Sequence, residues 1–169
     1  QPALLTADEA ETMFHEFGHA LHNLFRDVHY YGVSSVPRDF VELPSQVNEH
    51  WVFEPEMLKE YAKHYETGEV IPAELVERLN QCGKYGQGFT TTEYLAASLL
   101  DMDFHTMKEI PADFDVMDFE QKTLAERGLL SQIPSRYRTT YFNHTMGGGY
   151  TAGYYSYLWS EVLDADAFD

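Results

Sequence analysis

The chain has a single cysteine, few cations and no long apolar run, and each shortage removes a class of protein. One cysteine, Cys82, among 169 residues cannot close an internal disulfide, and the Cys pairs or quartets of a zinc finger are missing, so the composition suits a reducing compartment. Lys and Arg number 11 against 28 Asp and Glu, a net charge of −17. A surface that acidic repels nucleic-acid phosphates and anionic lipid headgroups, which sets aside nucleic acid and membrane as partners. No apolar run reaches the roughly 18 residues of a membrane helix, and the first residues lack the charged-then-apolar pattern of a secretory leader. Long valine- and isoleucine-rich alternation is also absent, which leaves little material for strands. What is present, 44% apolar and 15% aromatic residues, is enough for a packed core and argues against disorder. A chain that opens at Gln1 without a methionine and stops at Asp169 after an aromatic-rich segment reads as a piece of something larger.

Helical start and stop signals dominate, so the expected class is mostly α with few or no strands. Thr6-Ala7-Asp8-Glu9 has the form of a capping box, in which a hydroxyl and a carboxylate three residues apart satisfy free backbone donors. From there Met13, Phe14, Phe17, Ala20, Leu21, Leu24 and Phe25 recur at spacings of three and four, predicting an amphipathic helix over 6–28. Gly32 to Arg38 reads as a loop, and Asp39 can cap a second helix over 39–53 with a bend or irregular first turn at Pro44. Further helices are expected from Pro55 to near Gly68, from Pro72 to near Gly83, over 92–105, and from about 119 to Gly128, giving a helical middle over 55–128. An acidic connection is expected at 110–118 and an irregular stretch at 131–143. A glycine- and tyrosine-rich loop and a last helix that includes Tyr154 fill 136–166.

The strongest chemical signal is His15-Glu16-Phe17-Gly18-His19. Four residues of α-helix turn about 400°, so both imidazoles leave one face about 6 Å apart along the axis, a spacing that one Zn²⁺ can bridge. Glu16 beside them can take a proton from water whose pKa a bound metal lowers to about 7. The bland alternative is a pair of helix-face histidines bonded to carboxylates, but the pattern falls inside a capped amphipathic helix, where the geometry is real. Two imidazoles leave the site one ligand short, since catalytic zinc takes three protein ligands and keeps one open position. A metzincin needs glycine at position 22 and histidine at position 25; this chain has His22 and Phe25, which excludes that class. An acidic ligand on the second helix remains, and Glu42 is the choice, with Asp39 able to orient a ligand imidazole from behind. Glu49 and Asp27 compete by spacing alone. His22, seven residues from His15, is expected to be hydrogen-bonded rather than a ligand.

A second constellation runs from Tyr141 through Asn143, His144 and the glycines 147–149 to Tyr150, Tyr154, Tyr155, Tyr157 and Trp159. Three consecutive glycines permit backbone angles closed to other residues, which suits a mobile loop at an active site. A tyrosine hydroxyl or histidine N–H can donate to the oxyanion formed when water attacks a peptide carbonyl, and His144, Tyr150 and Tyr157 are candidates. Aromatic residues at helical spacing also serve as core, and for any single tyrosine packing is the competing reading.

Taken together, the stretches TMFHEFGHALH, PRDFVELPSQVNEHW, SRYRTTYFNH and GGGYTAGYYSYLWSEVL make the chain resemble the thimet oligopeptidase family of zinc metallopeptidases from end to end, and within it the bacterial peptidyl-dipeptidase branch. The resemblance implies a gluzincin core in which His15, His19 and Glu42 hold one Zn²⁺ and Glu16 is the general base. It places His144, Tyr150, Tyr154 and Tyr157 around the substrate, and it implies release of C-terminal dipeptides from short peptides in the cytoplasm. Such specificity needs a group for the free carboxylate; Arg136 and Arg138 can pair with it bidentately, or serve as surface arginines. Family members are several times longer, so residues 1–169 correspond to part of a catalytic domain, and the remaining lobe is an implied partner that would supply the facing wall of a channel. The alternatives are an oligoendopeptidase of the same family that cuts internal bonds, and a zinc-binding helical fragment with weak or no catalysis.

Overall fold

Thr6 opens the first helix as the capping box requires: its backbone N–H donates to Glu9 Oε2 at 2.8 Å, and Glu9 N–H donates back to Thr6 Oγ1 at 3.2 Å. A computed structural model describes residues 3–168 and contains eight α-helices and no strand among them. These are α1 (Ala7–Phe25), α2 (Leu43–Glu49), α3 (Pro55–Tyr61), α4 (Ala73–Cys82), α5 (Gln87–His105), α6 (Val116–Glu126), α7 (Asn143–Met146) and α8 (Ser156–Phe168). The chain divides into two units, Gln1–Lys84 with Ser156–Asp169, and Tyr85–Tyr155.

The first unit is organised by the crossing of α1 and α2. Gly18 is buried, and a Cβ there would stand 2.6 Å from both Pro44 O and Ser45 Cα. Only a residue without a side chain lets the two backbones meet so closely. Asn48 of α2 reaches across to donate to Phe14 O at 2.6 Å. Helix α2 also packs on α8, where Gln46 Nε2 donates to Tyr157 O at 3.1 Å, and Ser160 Oγ of α8 donates at 3.3 Å to Asp39 O in the turn that precedes α2. His50 stacks on Phe168 at 4.5 Å and pairs with Asp164 at 3.2 Å.

The second unit is built on α5 and α6. Ala96, Leu100 and Leu124 are buried together, with Phe104, Phe119 and Leu129 packed around them. Asp115 caps α6 by accepting from the N–H groups of Met117 and Asp118, so that helix starts inside the stretch read as an acidic connection.

Several element boundaries differ from those the sequence predicts. In place of one helix over 39–53 there is a 3-10 turn at Arg38–Phe40, then α2, then a second 3-10 turn at His50–Phe53. Pro44 sits in the first turn of α2, where its missing N–H leaves no gap in the ladder. The helix begun at Pro55 stops at Tyr61 rather than near 68, because Gly68 takes φ +73° in a turn that joins Lys63 to Val70 by an isolated antiparallel bridge. Helix α5 starts at Gln87, directly after Gly86 at φ +76°, five residues earlier than 92. Tyr154 lies outside the last helix, which begins at Ser156.

Gly18→Ala should push α1 and α2 apart and cost about 1–3 kcal/mol, the usual range for overpacking. Denaturant unfolding checks this. Unchanged stability would contradict so close an approach of the two helix backbones.

Candidate metal centre

Helix α1 carries His15 and His19 one turn apart, with their rings edge-on at 87° and 4.8 Å between centroids. Glu42, the residue before α2, is 2% exposed. Its Oε2 lies 3.3 Å from His15 Nε2 and 3.2 Å from His19 Nε2, and one ligand atom from each of the three residues falls within 4.8 Å of the others. Tetrahedral zinc with bonds of about 2.0–2.1 Å holds its donor atoms about 3.3 Å apart. The two histidine-to-glutamate separations match that figure, so this donor set fits a zinc-sized cation. Ser45 Oγ donates to the same Glu42 oxygen at 3.1 Å and fixes the carboxylate.

Behind the group, Glu49 Oε1 stands 2.5 Å from His15 Nδ1. Spacing alone offers Glu49 as a rival ligand; the structure puts it against the far nitrogen of His15, where it orients the ring and raises its basicity. Glu42 and Glu49 are seven residues apart, two helical turns, and that spacing is the signal that could have assigned both to one face. Hydrogen bonds to Glu42 and then Glu49 push the His15 imidazolium up to about 10 against the effect of burial. Burial first, with repulsion from Glu49 behind it, also pushes the Glu11 carboxyl up, and burial with Asp164 and Glu49 does the same to Glu161. Several carboxylates therefore lie close to the group. His22 and Asp27 do not join the three ligands; the His22 ring lies 6.4 Å from that of Phe40. Glu16 is exposed on α1 and borders an open apolar groove of about 600 Å³ lined by Met13, Phe17, Trp51 and Met57.

The residues of the second constellation fall in two places. Tyr157 lies in the first turn of α8, in the unit that holds His15, His19 and Glu42. His144, Tyr150, Tyr154, Arg136 and Arg138 belong to the other unit. There the His144 ring is surrounded by Tyr137 at 5.4 Å, Tyr154 at 5.6 Å and Tyr150 at 6.1 Å. Tyr150 N–H donates to His144 O at 2.8 Å, closing the glycine turn. A Cβ on Gly148 would lie 2.9 Å from Asn143 O, so this glycine is needed for the chain to double back over α7. Burial, then hydrogen bonding to Tyr137, pushes the Tyr154 hydroxyl up, and it stays a donor at neutral pH. Arg136 pairs with Glu93 at 3.2 Å. Arg138 pairs at 2.9 Å with Glu120, whose carboxylate is 1% exposed and also accepts from the Thr139 N–H and hydroxyl. Sequence offered no sign of Glu120, or of the fully buried Asp101 on α5, because a lone acid on a helix reads as a solvated charge.

A helical protein with two imidazoles and a buried carboxylate converging on one point is the class that fold and site define. The chain belongs to peptidase family M3, which matches residues 1–169. It is 48% identical over 171 residues to the dipeptidyl carboxypeptidase of Salmonella typhimurium and 47% identical to that of Escherichia coli. Against oligopeptidase A of Escherichia coli it is 43% identical over 175 residues. Each alignment takes in 99% of this chain and 25% of the relative, so the chain spans about a quarter of the length of these curated relatives.

Because a cation at these atoms competes with the His15 proton held up to about 10, metal uptake between pH 6 and 8 should release a proton. The apparent affinity should then tighten about tenfold per pH unit. Titration calorimetry in buffers of different ionisation enthalpy reads the proton directly. Glu49→Gln should weaken metal binding by about 10–100-fold; equal affinity in that variant would remove Glu49 from its assigned role.

Proposed function

We propose that this chain is the catalytic core of a cytoplasmic zinc peptidase that releases dipeptides from the C-terminal end of short peptides. The observation that carries this reading is the meeting of His15, His19 and Glu42, at 3.2–3.3 Å between imidazole nitrogens and carboxylate oxygen, with Glu16 next in sequence to His15. Zinc at that point would supply Lewis acidity and a water acidified to a pKa of about 7. Glu16 takes a proton from the attacking water and returns it to the leaving amine. His144 and Tyr157 donate to the oxygen on which negative charge grows, and Tyr150 and Tyr154 hold the substrate backbone. The raised pKa of Tyr154 suits a donor that stays protonated through the cycle.

For the substrate's terminal carboxylate, Arg136 is the stronger of the two candidates. Its partner Glu93 makes one contact at 3.2 Å, whereas an anion at Arg138 would compete with a buried Glu120 that also holds Thr139. The acidic charge and the lone cysteine support a cytoplasmic enzyme that acts on peptides and binds neither nucleic acid nor membrane; among the described residues no helix is long and apolar enough to cross a membrane. The remaining lobe of a longer parent enzyme would complete the substrate channel. A second reading, an oligoendopeptidase, is favoured by the 43% identity to oligopeptidase A; mass analysis of the products separates C-terminal dipeptides from internal cuts. A third, a zinc-binding fragment with weak catalysis, draws on the quarter-length match.

In the full-length protein Glu16→Gln should keep one metal per chain and lose about 10²–10⁴-fold in kcat, the range for a general base. A short chromogenic peptide measures the rate and elemental analysis the metal. Near-original turnover in this variant would overturn the assignment of the base, and turnover unaffected by a chelator would overturn the metal mechanism.

A further inference from the structure

Helical periodicity runs unbroken through Tyr150, Tyr154 and Tyr157, and the sequence by itself favours a last helix that includes Tyr154. The chain instead turns at Ala152, a non-glycine residue at φ +50°, and helix begins only at Ser156. The cause lies on α5. Asp101 is 0% exposed, and its two oxygens each take a backbone N–H from this turn, Ala152 at 3.0 Å on Oδ1 and Tyr154 at 2.9 Å on Oδ2. His105 Nδ1 lies 2.8 Å from the same Oδ1. Tyr94 on the same helix donates its hydroxyl to Tyr154 O and stacks on the Tyr154 ring at 5.2 Å. The opposite end of the segment is held in the same manner by buried Glu120 at Thr139. Two backbone N–H groups that both donate to one carboxylate are incompatible with continued helix, so the Asp101 side chain decides whether Tyr150 and Tyr154 lie on a turn around His144 or along a rod.

We propose that Asp101 is a positioning residue that sets the backbone of the Tyr150–Tyr154 turn, and through it the placement of the tyrosines beside His144. The effect on turnover rests on the peptidase reading above; the effect on the turn does not. Asp101→Asn keeps the size but offers one acceptor oxygen where two are needed. In that variant, amide exchange at Ala152 and Tyr154 should quicken at least about tenfold. In the full-length protein kcat should fall about 10–100-fold, the consequence of misplacing groups by about 1 Å, with KM within about threefold and the metal content unchanged. Adding Ala152→Gly, which removes the steric cost of positive φ, should recover part of the lost kcat. Faster exchange with unchanged kcat, or a lower kcat with no recovery from Ala152→Gly, would overturn the positioning role. If Asp101→Asn does not fold, the unaltered protein still decides: its Ala152 and Tyr154 amides should exchange at least about tenfold more slowly than that of Gly149, and equal rates would overturn the proposal. Should Glu16→Gln prove fully active, the peptidase mechanism fails while the exchange measurements still test Asp101.

Discussion

The Glu42 carboxylate is held out of water with two imidazole nitrogens 3.2 and 3.3 Å from one of its oxygens. Burying a carboxylate costs several kcal/mol unless positive charge and hydrogen bonds face it, so the packing of the first unit has to deliver those partners. Ser45 supplies a hydroxyl and α1 supplies the histidines. That delivery depends on near-contact between two helix backbones, which Gly18 allows. Helix α8 in turn holds α2 through Gln46 and the turn before it through Ser160, so residues far apart in sequence share the task of holding one carboxylate in place.

The excess of acid that first served to exclude partners has several separate uses inside the fold. Glu42 offers its oxygen to the candidate metal site with His15 and His19, and Glu49 stands against the far nitrogen of His15. Asp101 and Glu120 bind backbone N–H groups and so determine loop shape. All but Glu49 are nearly or fully buried, and at each burial is matched by donors. Burial first, and then the nearby Glu49 carboxylate, push the Glu11 and Glu161 carboxyls up, so acids crowd the neighbourhood of Glu49.

Elements whose signals are local were legible in the sequence. The capping box, the run of α1 and the paired histidines follow from spacing within one helix, and Glu42 was reachable from ligand chemistry once metzincins were excluded. Features set by contact between distant segments were not. Gly18 is read as a helix glycine until α2 is seen against it, and Glu49 passes for a ligand until His15 Nδ1 is seen beside it. The periodicity at Tyr154 misled because a buried carboxylate on α5 outcompetes helix propensity at Ala152. The carboxylates that face Arg136 and Arg138, Glu93 and Glu120, were likewise hidden from the sequence.

Helix α8 belongs with α1 and α2 although the whole second unit lies between them along the chain. A ribosome adding about 5–20 residues per second would therefore expose α1 and α2 for several seconds before their third neighbour leaves the exit tunnel. For that interval the histidine pair and Glu42 are already synthesised while the surface of α2 that α8 covers is bare.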